Sequence, residues 1–294
     1  MAEPTTVDAL IDVGERVLRD STHIFEDHDN RREAEDLMAH CLGDEIDDVD
    51  TSLQLPRPAR ERYLSLVARR AAGEPFPLLV GSIDFYGLQL PVKSGSFIPR
   101  PSSELTVDRA VRALRRRSHP IVVDVCTGGG PIALAIADEV PEAEVWGTDI
   151  DAGGLAQGRQ NAKLLDVPNV IFRKGDMYSA LPRRLRGSVD VIAGHIPYVP
   201  PDEIDDLPAE VREHEPLFTL TDQSDDGLGL IRRAVEEAPE WLKPGGWLLL
   251  EISDDLARKV KRMCLRAGFS EPRVASDEDE LSIVVESRLP RRRH

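Results

Sequence analysis

The 294 residues carry a formal net charge of -16, with 41% hydrophobic and 31% charged side chains. That length suits one α/β core plus a smaller module, and no apolar run approaches the roughly 20 residues that cross a bilayer. So acidic a chain repels nucleic-acid phosphates, and its basic clusters, Arg115-Arg116-Arg117 and Arg291-Arg292-Arg293, are too short to reverse this.

Met1-Ala2-Glu3-Pro4 lacks the basic start and apolar stretch of a secretory signal, which leads to the expectation of a cytoplasmic protein. Cys41, Cys126 and Cys264 are odd in number and far apart, so they read as reduced thiols, with neither a disulfide framework nor a metal site expected. Residues 1–75 hold 18 acidic and 9 basic side chains, best read as a solvated surface. Val7, Leu10, Ile11, Val17 and Leu18 recur at helical spacing, and Ala34 to Leu42 runs into Gly43, a helix stop. Gly14 lies on the same face and costs that helix some intrinsic stability. Residues 1–75 therefore read as a small helical domain. Glycines and prolines gather from Gly73 to Pro77, and Ile83 to Val92 has the pattern of a hairpin closing at Gly87, so residues 76–98 read as a linker hairpin.

Residues 99–294 form the second domain. From Ile121 the pattern alternates short β-branched runs with longer amphipathic segments: strands at Ile121–Val125, Glu144–Asp149, Val170–Arg173 and Val189–Ala193, with helices ending near Val140 and Leu165 between them. Strands alternating with helices of that length imply crossover units and a doubly wound, parallel α/β sheet. A helix over Leu228–Leu242, a turn at Pro244-Gly245-Gly246, a strand Trp247–Ile252, a helix to Ala267 and a last strand near Ser282–Ser287 complete the pattern.

Thr127-Gly128-Gly129-Gly130 sits between a strand and a helix, where glycines let the backbone turn tightly and approach a ligand. Asp149 follows Gly128 by 21 positions at the end of the next strand, placed to accept hydrogen bonds from ribose hydroxyls. Gly175-Asp176-Met177 closes the third strand with a carboxylate and an apolar side chain suited to an adenine edge. Together these describe a nucleoside pocket. Gly128-x-Gly130-x-x-Ala133 also satisfies the pyrophosphate pattern of nicotinamide enzymes, so an NAD-dependent oxidoreductase and a non-catalytic nucleoside-binding protein both stay open at this point.

The fourth strand runs into Gly194-His195-Ile196-Pro197-Tyr198-Val199-Pro200. Here the chain resembles the HemK/PrmC-type protein-glutamine N-methyltransferases that modify release factors, whose fourth strand ends in Asn-Pro-Pro-Tyr. The resemblance extends to Arg32-Glu33-Ala34-Glu35, Gly73-Glu74-Pro75, Phe85-Tyr86-Gly87, Ile98-Pro99-Arg100-Pro101 with Glu104, Asn161-Ala162, Glu215-Pro216, Asp226-Gly227-Leu228 and Leu250-Glu251-Ile252. It implies a seven-stranded, Rossmann-like class I fold and S-adenosylmethionine as cofactor, facing Arg100, Asp124, Thr127, Gly128, Gly130, Asp149, Ile150, Asp176, Met177 and His195. The chain departs from the family where the acceptor should bind: His195 and Ile196 replace asparagine and the first proline, while Pro197 and Tyr198 remain. Cys126, Gly129 and Pro131 also depart in the loop, and Ser102-Ser103 replaces an acid-threonine pair.

A neutral imidazole nitrogen can still accept an N–H bond, and histidine adds a base that titrates near neutrality. Residues 202–226 carry 10 acidic side chains against only Arg212. Carboxylates there would favour a cationic acceptor. The sequence thus leads first to a guanidinium on a small basic metabolite such as free arginine, anchored by Glu213 and Glu215, with His195 and the backbone of Ile196 and Pro197 orienting one nitrogen and Tyr198 packed across its plane. A release-factor glutamine is the rival acceptor.

Overall fold

The computed structural model describes residues 4–24, 29–44, 46–48, 50–277 and 283–291. Met1 to Glu3, Ser282, Arg292 and Arg293, which figured in the expectations above, lie outside the described residues. The chain divides into two compact units, residues 1–82 with 205–215, and residues 83–204 with 216–294.

The first unit is built on α1 (Val7–Arg19), α2 (Asn30–Leu42), α3 (Arg57–Ala71) and the short α4 (Phe76–Val80). Thr6 caps α1 and Asp29 caps α2, each accepting a backbone N–H of the first turn. Gly43 ends α2 at φ +79°. Val7, Leu10, Ile11 and Leu18 are buried against Leu37, Met38, Tyr63 and Val67. Val17, expected on the same face, is 39% exposed; at about 100° per residue it falls at the edge of the stripe that Leu18 centres. Gly14 is there for space: a Cβ would stand 2.1 Å from the Tyr63 hydroxyl, which donates to Ala34 O at 3.2 Å.

Residues 205–215, expected within the second domain, pack with this helical unit. The physical reason is a buried cation. Arg70 is 1% exposed, its Nε 2.8 Å from Glu33 Oε1 and its Nη1 2.9 Å from Glu210 Oε2. A guanidinium out of water needs such partners, and sequence proximity gives no hint that one comes from 140 residues away.

The second unit opens with the hairpin β1 (Ser82–Phe85) and β2 (Leu88–Pro91), turning at Gly87 with φ +78°. After α5 (Glu104–Leu114) come β3 (Ile121–Val125), α6 (Pro131–Glu139), β4 (Glu144–Asp149), α7 (Ala152–Leu164), β5 (Val170–Lys174) and β6 (Val189–His195). The one-turn α8 (Ala209–Arg212) belongs to the first unit. The second unit resumes with α9 (Gly229–Trp241), β7 (Leu242–Glu251), α10 (Asp254–Arg266), β8 (Ser270–Ser276) and β9 (Ile283–Arg288). The seven strands β3 to β9 pair in the order β5-β4-β3-β6-β7-β9-β8, parallel except where β9 meets β7 and β8. Alternate residues of β3 enter different cores: Val123 and Val125 pack with α9 and α10, Val122 with α5 and α6. This is the signature of a sheet covered on both faces.

Pro244-Gly245-Gly246, read as a turn, lies inside β7 as an irregularity. The pairing with β6 jumps from Leu242 to Trp247, and a Cβ on Gly246 would meet three backbone oxygens at 3.0–3.1 Å. The amphipathic α5 and the mostly exposed edge strand β8 escaped the sequence reading. The chain order reverses between β3 and β6, and the carboxyl ends of those two strands are where open α/β sheets hold ligands.

Candidate active site

A cavity opens at that reversal, where open α/β sheets hold small molecules. Its floor is the loop between β3 and α6. Cys126, Gly128 and Gly130 all take positive φ, at +55°, +54° and +81°, and Thr127 N is tied to Thr148 O at 3.0 Å. Gly130 must be glycine twice over, because a Cβ would lie 2.5 Å from the Phe172 ring. A Cβ on Gly128 would meet nothing within 4 Å; the loop there faces open space.

Asp149 holds the loop from β4. Its Oδ2 accepts from Gly128 N at 2.8 Å and its Oδ1 from Asp151 N at 2.7 Å. Each oxygen keeps a lone pair for ribose hydroxyls. Burial pushes this carboxyl upward, and backbone N–H bonds oppose the shift. Asp124 is 1% exposed and accepts the Thr127 hydroxyl; burial pushes it up to about 7. Ile150 and the buried Met177 supply apolar wall, and Arg233 pairs with the exposed Asp176 carboxylate. An open glycine cradle, a ribose-competent carboxylate and apolar side chains for a purine fit S-adenosylmethionine. The side chains beside the loop include the carboxyl groups of Asp124, Asp149 and Asp176, a setting that disfavours a pyrophosphate.

On the acceptor side, His195 and Pro197 line the cavity with Phe97, Arg100, Ser103 and Phe218. The imidazole ring packs edge-on against Phe97 with centroids 5.3 Å apart and stacks on Tyr198 at 5.9 Å. Its Nδ1 lies 3.2 Å from Ser103 Oγ and 3.4 Å from Glu251 Oε2. Burial lowers the His195 pKa below its usual 6.5, Glu251 pulling the other way and Arg100 adding to the fall. Burial thus favours the neutral ring. Arg100 spreads its guanidinium over Phe97 at 4.7 Å and donates to Ile98 O. Burial raises the Tyr198 phenol to about 12.

Of the residues expected at the site, Arg100, Asp124, Thr127, Gly128, Asp149, Ile150, Asp176, Met177, His195 and Pro197 line this cavity. Gly130 shapes the loop beneath it. The Ile196 side chain is fully buried in the core, and Tyr198 stacks on the face of His195. Glu213 and Glu215, expected to anchor a guanidinium, are not among the lining residues; they belong with the helical unit, where Glu215 is buried. Sequence reasoning missed Phe97, Phe218 and Leu230, which no motif marks. It also passed over the contacts that Ser103 and Glu251 make with His195.

Comparison with known proteins agrees with this architecture. Residues 122–214 match the methyltransferase domain family and residues 16–81 the PrmC N-terminal domain family. A release factor glutamine methyltransferase of Burkholderia pseudomallei is 37% identical over 261 residues, 86% of this chain and 90% of that one. Another from Thermodesulfovibrio yellowstonii is 32% identical over 253 residues, 84% and 88% of the two chains. In fold alone, the chain is similar to a methyltransferase of Pyrococcus furiosus, with a TM-score of 0.50 and 17% identity over 69% of this chain and 90% of that one. These matches set the nicotinamide reading aside. The chain belongs to the HemK/PrmC-type protein-glutamine N-methyltransferase family, and is an S-adenosylmethionine-dependent N-methyltransferase of class I fold.

Proposed function

We propose that this protein methylates the side-chain amide nitrogen of a glutamine in a release factor. The observation that carries the reading is the similarity, above 30% identity and along most of both chains, to proteins named release factor glutamine methyltransferases. The acceptor side of the cavity supports it. A neutral His195 offers a nitrogen lone pair to an amide N–H, and the flat rings of Phe97 and Phe218 suit a planar group. A guanidinium, the first expectation from sequence, fits less well: Glu213 and Glu215 are not in the lining, and Arg100 in the wall repels a second cation.

S-adenosylmethionine supplies an electrophilic methyl group. An amide nitrogen is a poor nucleophile because its lone pair is delocalised, so the protein's work is positioning and electrostatics. In the proposed mechanism, His195 accepts one N–H, the backbone at Ile196 and Pro197 takes the other, and Tyr198 keeps the imidazole plane in place by stacking. The nitrogen gains a methyl group and sheds one proton, for which His195 is the nearest neutral base.

The test is incubation with methyl-labelled S-adenosylmethionine and, separately, release factor, free arginine and free glutamine. Label on release factor, located by mass spectrometry to a glutamine side chain, is expected. Label on free arginine with release factor unmodified would overturn the proposal.

A further inference from the structure

Two departures from the family sequence, Ser102-Ser103 and His195, lie 92 residues apart in the case of Ser103 and His195, yet meet in space. They meet around Glu251. His195 ends β6 and Glu251 ends β7, and the two are direct partners in the strand register. Glu251 is 4% exposed. Its Oε1 accepts the Ser102 hydroxyl at 2.8 Å. Its Oε2 lies 3.4 Å from His195 Nδ1, within ion-pair distance, and makes no hydrogen bond among the described residues.

A buried carboxylate oxygen without a donor is costly, and Nδ1–H is the donor at hand. Ser103 Oγ, 3.2 Å from the same nitrogen, shares that proton as an acceptor or stands by as a neutral neighbour. If Nδ1 instead accepted from Ser103, its lone pair would face the Glu251 carboxylate, two acceptors in contact in a dry corner. We infer that Glu251 is a positioning residue that holds His195 in its Nδ1–H tautomer, leaving Nε2 as a bare acceptor toward the methyl-accepting nitrogen. Ser102 holds the carboxylate in turn.

This explains how a histidine can serve at the end of β6. An asparagine presents its carbonyl by its own hydrogen bonds, whereas an imidazole with the wrong tautomer would present a donor to a donor. The charged and titratable groups around the ring are Glu251 from β7, Arg100 from the segment before α5, and Tyr198 beyond β6. Burial and Arg100 keep the ring neutral, and Glu251 selects which nitrogen keeps the proton. The role at the acceptor rests on the proposed amide methylation; the tautomer does not.

The experiment is two-bond ¹⁵N–¹H NMR of the histidine rings in the full-length protein at pH 7.5, with His195 assigned by its loss in His195→Asn. The expected spectrum has Nδ1 pyrrole-like and Nε2 pyridine-like. Ser103→Ala keeps that pattern, whereas Glu251→Leu, which takes away both acceptor oxygens, moves it toward the opposite tautomer and lowers kcat on the order of 10- to 100-fold, with S-adenosylmethionine affinity unchanged. A wild-type His195 with its proton on Nε2 overturns the inference without any variant, as does a Glu251→Leu protein whose tautomer is unaltered. Because the spectrum needs no acceptor, a failed release-factor assay and a failed tautomer assignment are separate outcomes.

Discussion

Replacing Asp124 by asparagine isolates the charge that the cofactor strand buries. Asp124 is 1% exposed, and its carboxyl rises from the usual 3.8 to about 7, chiefly through burial; the Thr127 hydroxyl opposes the shift and Asp149 adds to it. Since the folded-state pKa lies above the unfolded one, the stability due to this group is full below the unfolded value and is lost as pH rises through the folded value. A shift of roughly three pH units at about 1.4 kcal/mol each makes about 4 kcal/mol, a sizeable part of the 5–15 kcal/mol, or about that, which a domain possesses. Asparagine cannot ionise, yet keeps an oxygen to accept from Thr127. The unfolding free energy of Asp124→Asn relative to the parent should therefore climb by about 1.4 kcal/mol per unit from about pH 4 to about pH 7 and then level off. Urea titrations followed by tryptophan fluorescence in a series of buffers measure it. A difference that stays flat across that window would refute the idea that this loop buries a costly carboxylate.

Three further substitutions probe other parts of the argument. Asp149→Ala strips the acceptor from Gly128 N and Asp151 N, and calorimetric titration should show S-adenosylmethionine affinity reduced by about tenfold or more; unchanged affinity contradicts the ribose assignment. Gly130→Ala forces a side chain to φ +81° and into Phe172, costing about 1–2 kcal/mol in backbone strain and about 1–3 kcal/mol in overpacking. Trimming Phe172 to alanine in the same protein should recover part of the second component in chemical denaturation, and full additivity would argue against the clash. Arg70→Met leaves Glu33 and Glu210 buried without their cation, a loss of about 3–5 kcal/mol. Adding Glu33→Gln and Glu210→Gln should restore most of it, and a triple variant no better than the single one would sink the buried-triad account.

Much of the fold was legible because periodicity reports burial. The strand runs β3 and β6 are rich in valine and isoleucine and almost wholly buried because both faces of the sheet are covered there, and Gly43 and Gly87 mark places where the chain takes positive φ. What escaped was polar or half-exposed. β8 alternates weakly at an edge, α5 was passed over, and Pro244-Gly245-Gly246 has turn composition while lying in a strand irregularity. Val17 misled for a related reason: a residue at the edge of an apolar stripe has the right chemistry and too little burial.

By itself the sequence determined the family, the doubly wound sheet and the tight glycine turn after β3, since these rest on local backbone demands and on motifs spaced along one crossover unit. Thr127 to Gly130, Asp149 and Met177 follow one another within 51 residues, close enough for spacing to carry meaning. Tertiary structure alone decided which carboxylates come near His195. Glu213 and Glu215 follow the His195 motif closely in sequence but pack with the helical unit, where residues 205–215 join Arg70. Glu251, far from His195 in sequence, becomes its register partner because β6 and β7 are neighbours at the carboxyl edge. Charge patterning along a chain says which residues are acidic, while strand order and buried ion pairs say which of them face the same cavity.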